Sequence, residues 1–224
     1  MTTISPVRKG SIAGPVIRTI TFASCYAYSP FGSSATSERS RLMRALLKSR
    51  DAHFIFKYAV RVRQEVAGES PLTGFFRPTY VLLPVPGSAP RAAGFVSVAE
   101  YLATALIAEG LGQGIWRGLH RTCAVRKSAT AAPGSRPTVG NHYDSFAVAM
   151  SAIPPQQVML IDDVVTKGRT LLAAAARVQE ALPDADIRAF ALLRTVGLAR
   201  GINRLVDPCI GEIRWESGDA HRNP

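Results

Sequence analysis

"VMLIDDVVTKGRTLLAAAARVQEAL", residues 158–182, joins an apolar run to two adjacent acids, a cationic turn with one glycine, and a helical pattern. Val158 to Ile161 is short, apolar and partly β-branched, which predicts a buried central strand with Asp162 and Asp163 at its carboxyl end. Leu171, Ala174, Ala175, Val178 and Leu182 then recur at helical spacing, so a helix is expected from about Thr170 and the intervening turn becomes its amino terminus. Such a terminus presents unbonded N–H groups and the positive end of the helix dipole. With Gly168 for close approach, hydroxyls on Thr166 and Thr170, and cations on Lys167 and Arg169, the turn has the makings of a phosphate cradle. Ionised carboxylates accept hydrogen bonds and donate none, so Asp162 and Asp163 suit a vicinal diol. A phosphorylated sugar would satisfy both halves.

Outward from this stretch, the chain alternates strands and helices. "IRAFALL", Ile187 to Leu193, predicts the strand that completes a βαβ unit. Upstream, Thr79 to Val85 reads as a buried strand followed by the turn-rich "PGSAPRAAG". Ser97 and Glu100 have the spacing of a capping box, ahead of a helix with Tyr101, Leu102, Ala105 and Leu106 on its apolar face. "GIWRGL" predicts a short strand, "YDSFAV" another and "QVMLI" the next. Residues 119–143 contain no acid, and Arg117 to Arg136 include five positive side chains, so a long basic loop is expected there. Near the amino terminus, "PVIRTITFASCYAY" alternates loosely and predicts an edge strand or hairpin. Two basic amphipathic helices should follow. The first buries Leu42, Leu46 and Leu47; the second is capped by Asp51 and buries Phe54, Ile55, Tyr58, Ala59 and Val62. The expected organisation is an N-terminal segment over 1–78, a core over 79–200 and a tail over 201–224.

The 224 residues carry 27 Lys and Arg against 16 Asp and Glu, a formal charge of +11, which favours polyanionic or phosphorylated partners and leaves nucleic acid open as one. Arg41, Arg44, Lys48, Lys57, Arg61 and Arg63 read as a solvated helix face, since no aromatic platform accompanies them. Cys25, Cys123 and Cys209 lie far apart and are odd in number, which argues against a disulfide framework or a zinc ribbon and fits a reducing cytoplasm. No apolar run approaches the roughly 18 residues of a membrane helix. His120 and His142 read as incidental, Ser97 as a cap and not a nucleophile, and Arg194 as a structural hydrogen-bond donor.

The strand followed by "DDVVTKGRT" resembles the 5-phosphoribosyl 1-pyrophosphate (PRPP) signature of type I phosphoribosyltransferases. The resemblance implies an α/β fold: a parallel-stranded Rossmann-like sheet flanked by helices, with a small hood. It implies that Asp162 and Asp163 hold the ribose hydroxyls, with an indirect part in binding Mg²⁺, and that Thr166, Lys167, Gly168, Arg169 and Thr170 wrap the 5-phosphate. It further implies a pyrophosphate loop at Pro86, Gly87, Ser88 and Arg91, and a flexible lid with Arg121, Arg126, Lys127 and Arg136. A wider order, "YAYSPFG", "LLPVPGSAPRAAGF", "NHYDSFAV" and the PRPP motif, is similar to the ComF family of competence-associated phosphoribosyltransferase-like proteins. The three cysteines offer no counterpart of that family's amino-terminal four-cysteine zinc module, and Ala93 to Ser97 replaces its Arg-Gly-Phe-Asn-Gln. Expected are transfer of phosphoribosyl from PRPP to an unidentified nitrogenous acceptor with release of pyrophosphate, and a homodimer. The alternative is a non-catalytic PRPP-sensing or DNA-associated protein of the same fold. A third reading is chemistry on a related phosphorylated sugar, to which the unusual Lys167 points.

Overall fold

The fold is seen in a computed structural model that describes residues 17–90, 94–126, 136–197 and 201–224. The elements in chain order are β1 (Thr19–Tyr28), α1 (Ala35–Lys48), α2 (Ala52–Ala67), β2 (Val81–Pro84), α3 (Val98–Ala108), β3 (Gly114–Ile115), β4 (Leu119–Arg121), α4 (Val139–Ser145), β5 (Phe146–Val148), β6 (Gln157–Val165), α5 (Arg169–Ala181), β7 (Asp186–Thr195), β8 (Val206–Glu216) and β9 (Asp219–Asn223). Seven strands form one sheet in the order β3-β2-β6-β7-β1-β8-β9. From β3 to β1 the neighbours run parallel, and β8 and β9 add an antiparallel hairpin. The expected mixed α/β sheet flanked by helices is therefore present.

Side-chain alternation on β6 divides the core into two layers. Met159 and Ile161 face α1, α2 and α3, where they join Met43, Leu47, Ile55, Val62, Leu102 and Leu106. Val158 and Leu160 face the other way, onto Leu171, Leu172, Ala175 and Val178 of α5. Alanines at 173–176 let α5 lie close to the sheet, and all four are fully buried. A parallel sheet covered on both faces needs nearly continuous apolar strands, as β6 and β7 provide.

Several local expectations are corrected. β1 is not an edge strand: it lies between β7 and β8, and Phe22 to Ala27 are buried without a break. Its second neighbour comes from the far end of the chain, where a local pattern cannot reveal it. α1 buries Ser37, Ser40, Met43 and Leu47, while Leu42 is 61% exposed. Two serines can sit on a core face because each is bonded: Ser40 Oγ accepts from Ser29 N (3.1 Å) and donates to Ser37 O (2.7 Å), and Ser37 Oγ accepts from Ile202 N (3.2 Å). Hydropathy periodicity does not register such hydroxyls. The long loop expected over 119–143 begins with β4 and ends within α4, and "YDSFAV" supplies the end of α4 and then β5. β5 pairs with β4 in a separate two-stranded antiparallel sheet, not with the main sheet. Residues 201–224 are no tail, since they build β8 and β9. The hairpin turns through Ser217 and Gly218, both at positive φ, between the paired Glu216 and Asp219, the geometry of a two-residue primed turn.

The Asp51 cap holds as expected, accepting from His53 N and Phe54 N. Ser97 likewise caps α3, accepting from Glu100 N. Cys25, Cys123 and Cys209 are free thiols. Among the described residues no helix is long and apolar enough to cross a membrane.

Candidate functional site

Sheet topology places one cleft ahead of other candidates. From β2 the chain crosses to β3 through α3 on one face, and from β6 it crosses to β7 through α5 on the other. Between β2 and β6 the strand order therefore reverses, and the carboxyl ends of two such strands splay to leave a crevice. β2 pairs with β6 only as far as Pro84 opposite Ile161, whereas β6 continues to Val165 along β7. Asp162 and Asp163 consequently lie inside the strand, three and two residues before its end, but beyond the reach of β2. They open into a cleft of about 430 Å³ with walls from Lys48, the 84–90 turn, the start of α3, and Arg117 to Arg121. A shallower depression of about 390 Å³ at Thr21, Asp186 and Arg188 sits at the amino-terminal end of β7, the edge of a parallel sheet where ligands are not expected.

Alternation sends Asp162 towards the α5 layer and Asp163 towards α1. Asp163 is 8% exposed, its carboxylate in ion-pair contact with Lys48 Nζ at the carboxyl end of α1. Its backbone N–H donates to Asp162 Oδ1 at 2.8 Å. Burial pushes the Asp162 carboxyl well above the usual carboxylate range, the charge and hydrogen bond of Asp163 push it further, and Lys48 opposes them. The result is a carboxyl pair compensated by one ammonium. Lys48 is therefore not part of a solvated basic face, the expectation from sequence; a contact between α1 and β6 leaves no local signal there.

Arg121 forms the floor. It was expected on a flexible lid, yet it sits on β4 and is 5% exposed. Its Nε donates to Gly87 O at 2.6 Å, Nη1 donates to Ser145 Oγ, Nη2 donates to His142 Nδ1 at 3.0 Å, and the guanidinium stacks 4.0 Å from the Phe146 ring centroid. Burial lowers its pKa to about 10, partly offset by Asp162. The same burial, with the charges of Arg121 and Arg169, pushes His142 down from 6.5 to about 4. His142 is thus not incidental: as a neutral acceptor it fixes Arg121, which fixes the turn after β2. Between pH 4 and 6.5 the unfolded chain binds a proton on His142 that the folded chain refuses, so this residue makes stability rise with pH through that window. His142→Gln is expected to flatten that rise relative to wild type, which urea denaturation at several pH values measures.

Of the expected pyrophosphate loop, Pro86 and Gly87 line the cleft, and the Ser88 carbonyl accepts from Val125 N at 2.7 Å. Arg91 lies outside the described residues. Of the expected lid, Arg126 and Arg136 are exposed and Lys127 lies outside the described residues. Across the cleft, Arg117 Nε contacts Glu100 Oε1 at 2.6 Å. Arg194 is 7% exposed and its Nη2 contacts Asp207 Oδ2 at 2.6 Å, so it braces β7 against β8.

The 166–170 turn stands apart from the walls of the cleft, and its cations already have an anion. Asp219, the first residue of β9, takes Arg169 Nε on Oδ1 at 2.5 Å and Arg169 Nη2 on Oδ2 at 2.6 Å. Lys167 Nζ reaches the same Oδ2 at 3.2 Å. Thr166 Oγ1 lies 3.2 Å from Thr195 Oγ1, and Thr170 is half-buried in the first turn of α5. Gly168 adopts φ 86°, and a Cβ there would fall within 2.6 Å of Ile213 on β8. Its missing side chain makes room for the hairpin. Gly168→Ala is expected to cost about 1–3 kcal/mol, from left-handed strain and overpacking, seen as a lower urea midpoint at unchanged slope.

Comparison with known families finds no model that matches the chain, and comparison with curated proteins finds no match.

Proposed function

We propose that the cleft binds PRPP and that the chain transfers its phosphoribosyl group to a nitrogenous acceptor, as a type I phosphoribosyltransferase does. The observation that carries this reading is the position of Asp162 and Asp163: adjacent acids at the switch point of a parallel sheet, opening into the cleft beside the Pro86–Gly87 turn. Two acceptors at that edge suit the two hydroxyls of a ribose ring. The turn after β2 is held from behind through the Gly87 carbonyl, which leaves its open side to a pyrophosphate.

In the proposed reaction the acceptor nitrogen forms a bond to the anomeric carbon, the carbon–oxygen bond to pyrophosphate breaks, the bonding pair leaves with pyrophosphate, and the nitrogen's proton passes to solvent. Positive charge develops on the ribose ring, close to Asp162 and Asp163, and favourable carboxylates there lower the barrier. Lys48, paired with Asp163, offsets part of the negative charge of the two acids. Asp162 and Asp163 are hard oxygen donors, which fit Mg²⁺ held mainly by the substrate's oxygens with the two acids as added ligands. Bound there, Mg²⁺ would neutralise charge on the departing pyrophosphate.

A second reading is PRPP binding without turnover; Asp219 on Lys167 and Arg169 bears on phosphate affinity in both readings and does not separate them. Nucleic-acid binding gains less support, because four of the seven cations on α1 and α2 have internal partners. Arg41 donates to Ser29 O and Gly32 O, Arg44 stacks on Tyr28, Lys48 pairs with Asp163 and Arg61 pairs with Glu65. Incubation with Mg²⁺, PRPP and a panel of nitrogen heterocycles separates the first two readings. Acceptor-dependent pyrophosphate release is the expected result, whereas intact PRPP binding with no release from any acceptor would leave a binding protein.

A further inference from the structure

Asp219 lies on the last strand of the chain, far in sequence from the turn it contacts, and is delivered there by a tight hairpin. Glu216 pairs with Asp219 across Ser217 and Gly218, at φ 51° and 84°, so the carboxylate sits at a rigid corner and not on a swinging loop. Asp219 Oδ1 also accepts from Ala220 N at 2.8 Å. It presents two oxygens to the fork of Arg169 in the bidentate geometry by which guanidinium recognises carboxylate and phosphate alike. Arg169 is further held by Pro137 O at 3.1 Å, so the fork stays in place if its anion is exchanged. The Asp219 side chain retains 23% exposure and Lys167 58%, and α5 has no side-chain cap at its amino terminus. An incoming anion thus has access to the carboxylate, to both cations and to the start of the helix.

We propose that Asp219 is a specificity-determining residue of the 166–170 turn, an internal carboxylate ligand that a phosphate monoester must displace to bind Lys167 and Arg169. The inference rests on the phosphate-binding reading of that turn. A ligand offering a single carboxylate gains nothing by the exchange, since it replaces like with like. A phosphate monoester brings about two negative charges and three acceptor oxygens, enough for the fork, the ammonium and the first N–H groups of α5. Displaced, Asp219 is left beside the phosphate, and its negative charge opposes binding. The loop is therefore selective for dianionic esters and weak for them by construction.

Ribose 5-phosphate is the probe, titrated by calorimetry into wild type, Asp219→Asn, Asp219→Glu, and Asp219→Asn combined with Lys167→Ala and Arg169→Ala. Asp219→Asn is expected to bind at least about ten-fold more tightly than wild type, Asp219→Glu to stay near wild type, and the triple variant to lose the gain. Equal affinity in wild type and Asp219→Asn, with loss of binding in the triple variant, would overturn the role of Asp219 while leaving the phosphate turn intact. Binding indifferent to Lys167 and Arg169 would overturn both. Hydrogen exchange in wild type gives a test that needs no variant to fold: saturation with ribose 5-phosphate should reduce protection at the Ala220 amide, which donates to Asp219 Oδ1, and unchanged protection there would contradict the displacement.

Discussion

Asp162→Asn combined with Asp163→Asn is expected to raise the Kd for PRPP by at least about 100-fold while leaving the fold intact. Hydrogen bonds to a charged partner contribute about 1.5–3 kcal/mol each, so losing two at the lower bound removes about 3 kcal/mol. Asparagine keeps the shape of both side chains, and its Oδ1 can still accept the Asp163 backbone N–H that now meets Asp162. The stability of the double variant should be unchanged or raised. In the wild-type protein burial and its neighbour push Asp162 above the usual carboxylate range, the mark of a site that holds like charges together at a cost. Loss of affinity with retained or increased stability is what separates a binding pair from a structural one. A variant that unfolds, or one that binds PRPP as wild type does, would place these acids in the scaffold instead.

The second large effect is on stability. Arg121→Ala is expected to cost about 3–5 kcal/mol, from buried acceptors left unsatisfied at about 1–3 kcal/mol each together with the cavity. Arg121 binds Gly87, Ser145 and His142 and stacks on Phe146, so truncation leaves a cavity lined by unsatisfied acceptors. Urea denaturation should show a lower midpoint at unchanged slope. Because Gly87 loses its only guanidinium contact among these bonds, PRPP affinity should fall as well. Arg121→Lys retains charge but cannot reproduce three divergent bonds, and should recover only part of the loss. A midpoint shift below about 1 kcal/mol would remove Arg121 from its place as the brace of the turn.

The fold was legible where sequence signals are local. Val158 to Leu182 states its strand and helix outright, because β6 and α5 are apolar at the period of each element, and Asp51 and Ser97 announce their helices by short side chains at the caps. Long-range partners were not legible. The second neighbour of β1 is β8, whose pattern is interrupted by Pro208 and Gly211, and β9 reads Asp-Ala-His-Arg-Asn, too polar to suggest a strand. Without that hairpin 201–224 reads only as a tail, and the anion facing Lys167 and Arg169 has no signal in the sequence. The same holds within the site. Asp162 and Asp163 were found because adjacent acids after a buried strand have few other uses, and the cleft does gather them with Pro86 and Gly87. Lys48, Glu100, Arg117 and His142 join through contacts between elements, which depend on packing and not on spacing. Arg121 was noticed for its charge, but charge in a basic segment gives no hint that one arginine of the run is buried.

The central claim is that this cleft recognises PRPP, and titration calorimetry of wild-type protein with Mg²⁺-PRPP, using ribose 5-phosphate as the comparison, tests it most directly. The account predicts micromolar binding of PRPP and markedly weaker binding of ribose 5-phosphate, since only PRPP can engage the acids and the turn after β2 together. No heat from PRPP, or equal affinity for the two ligands, would contradict it.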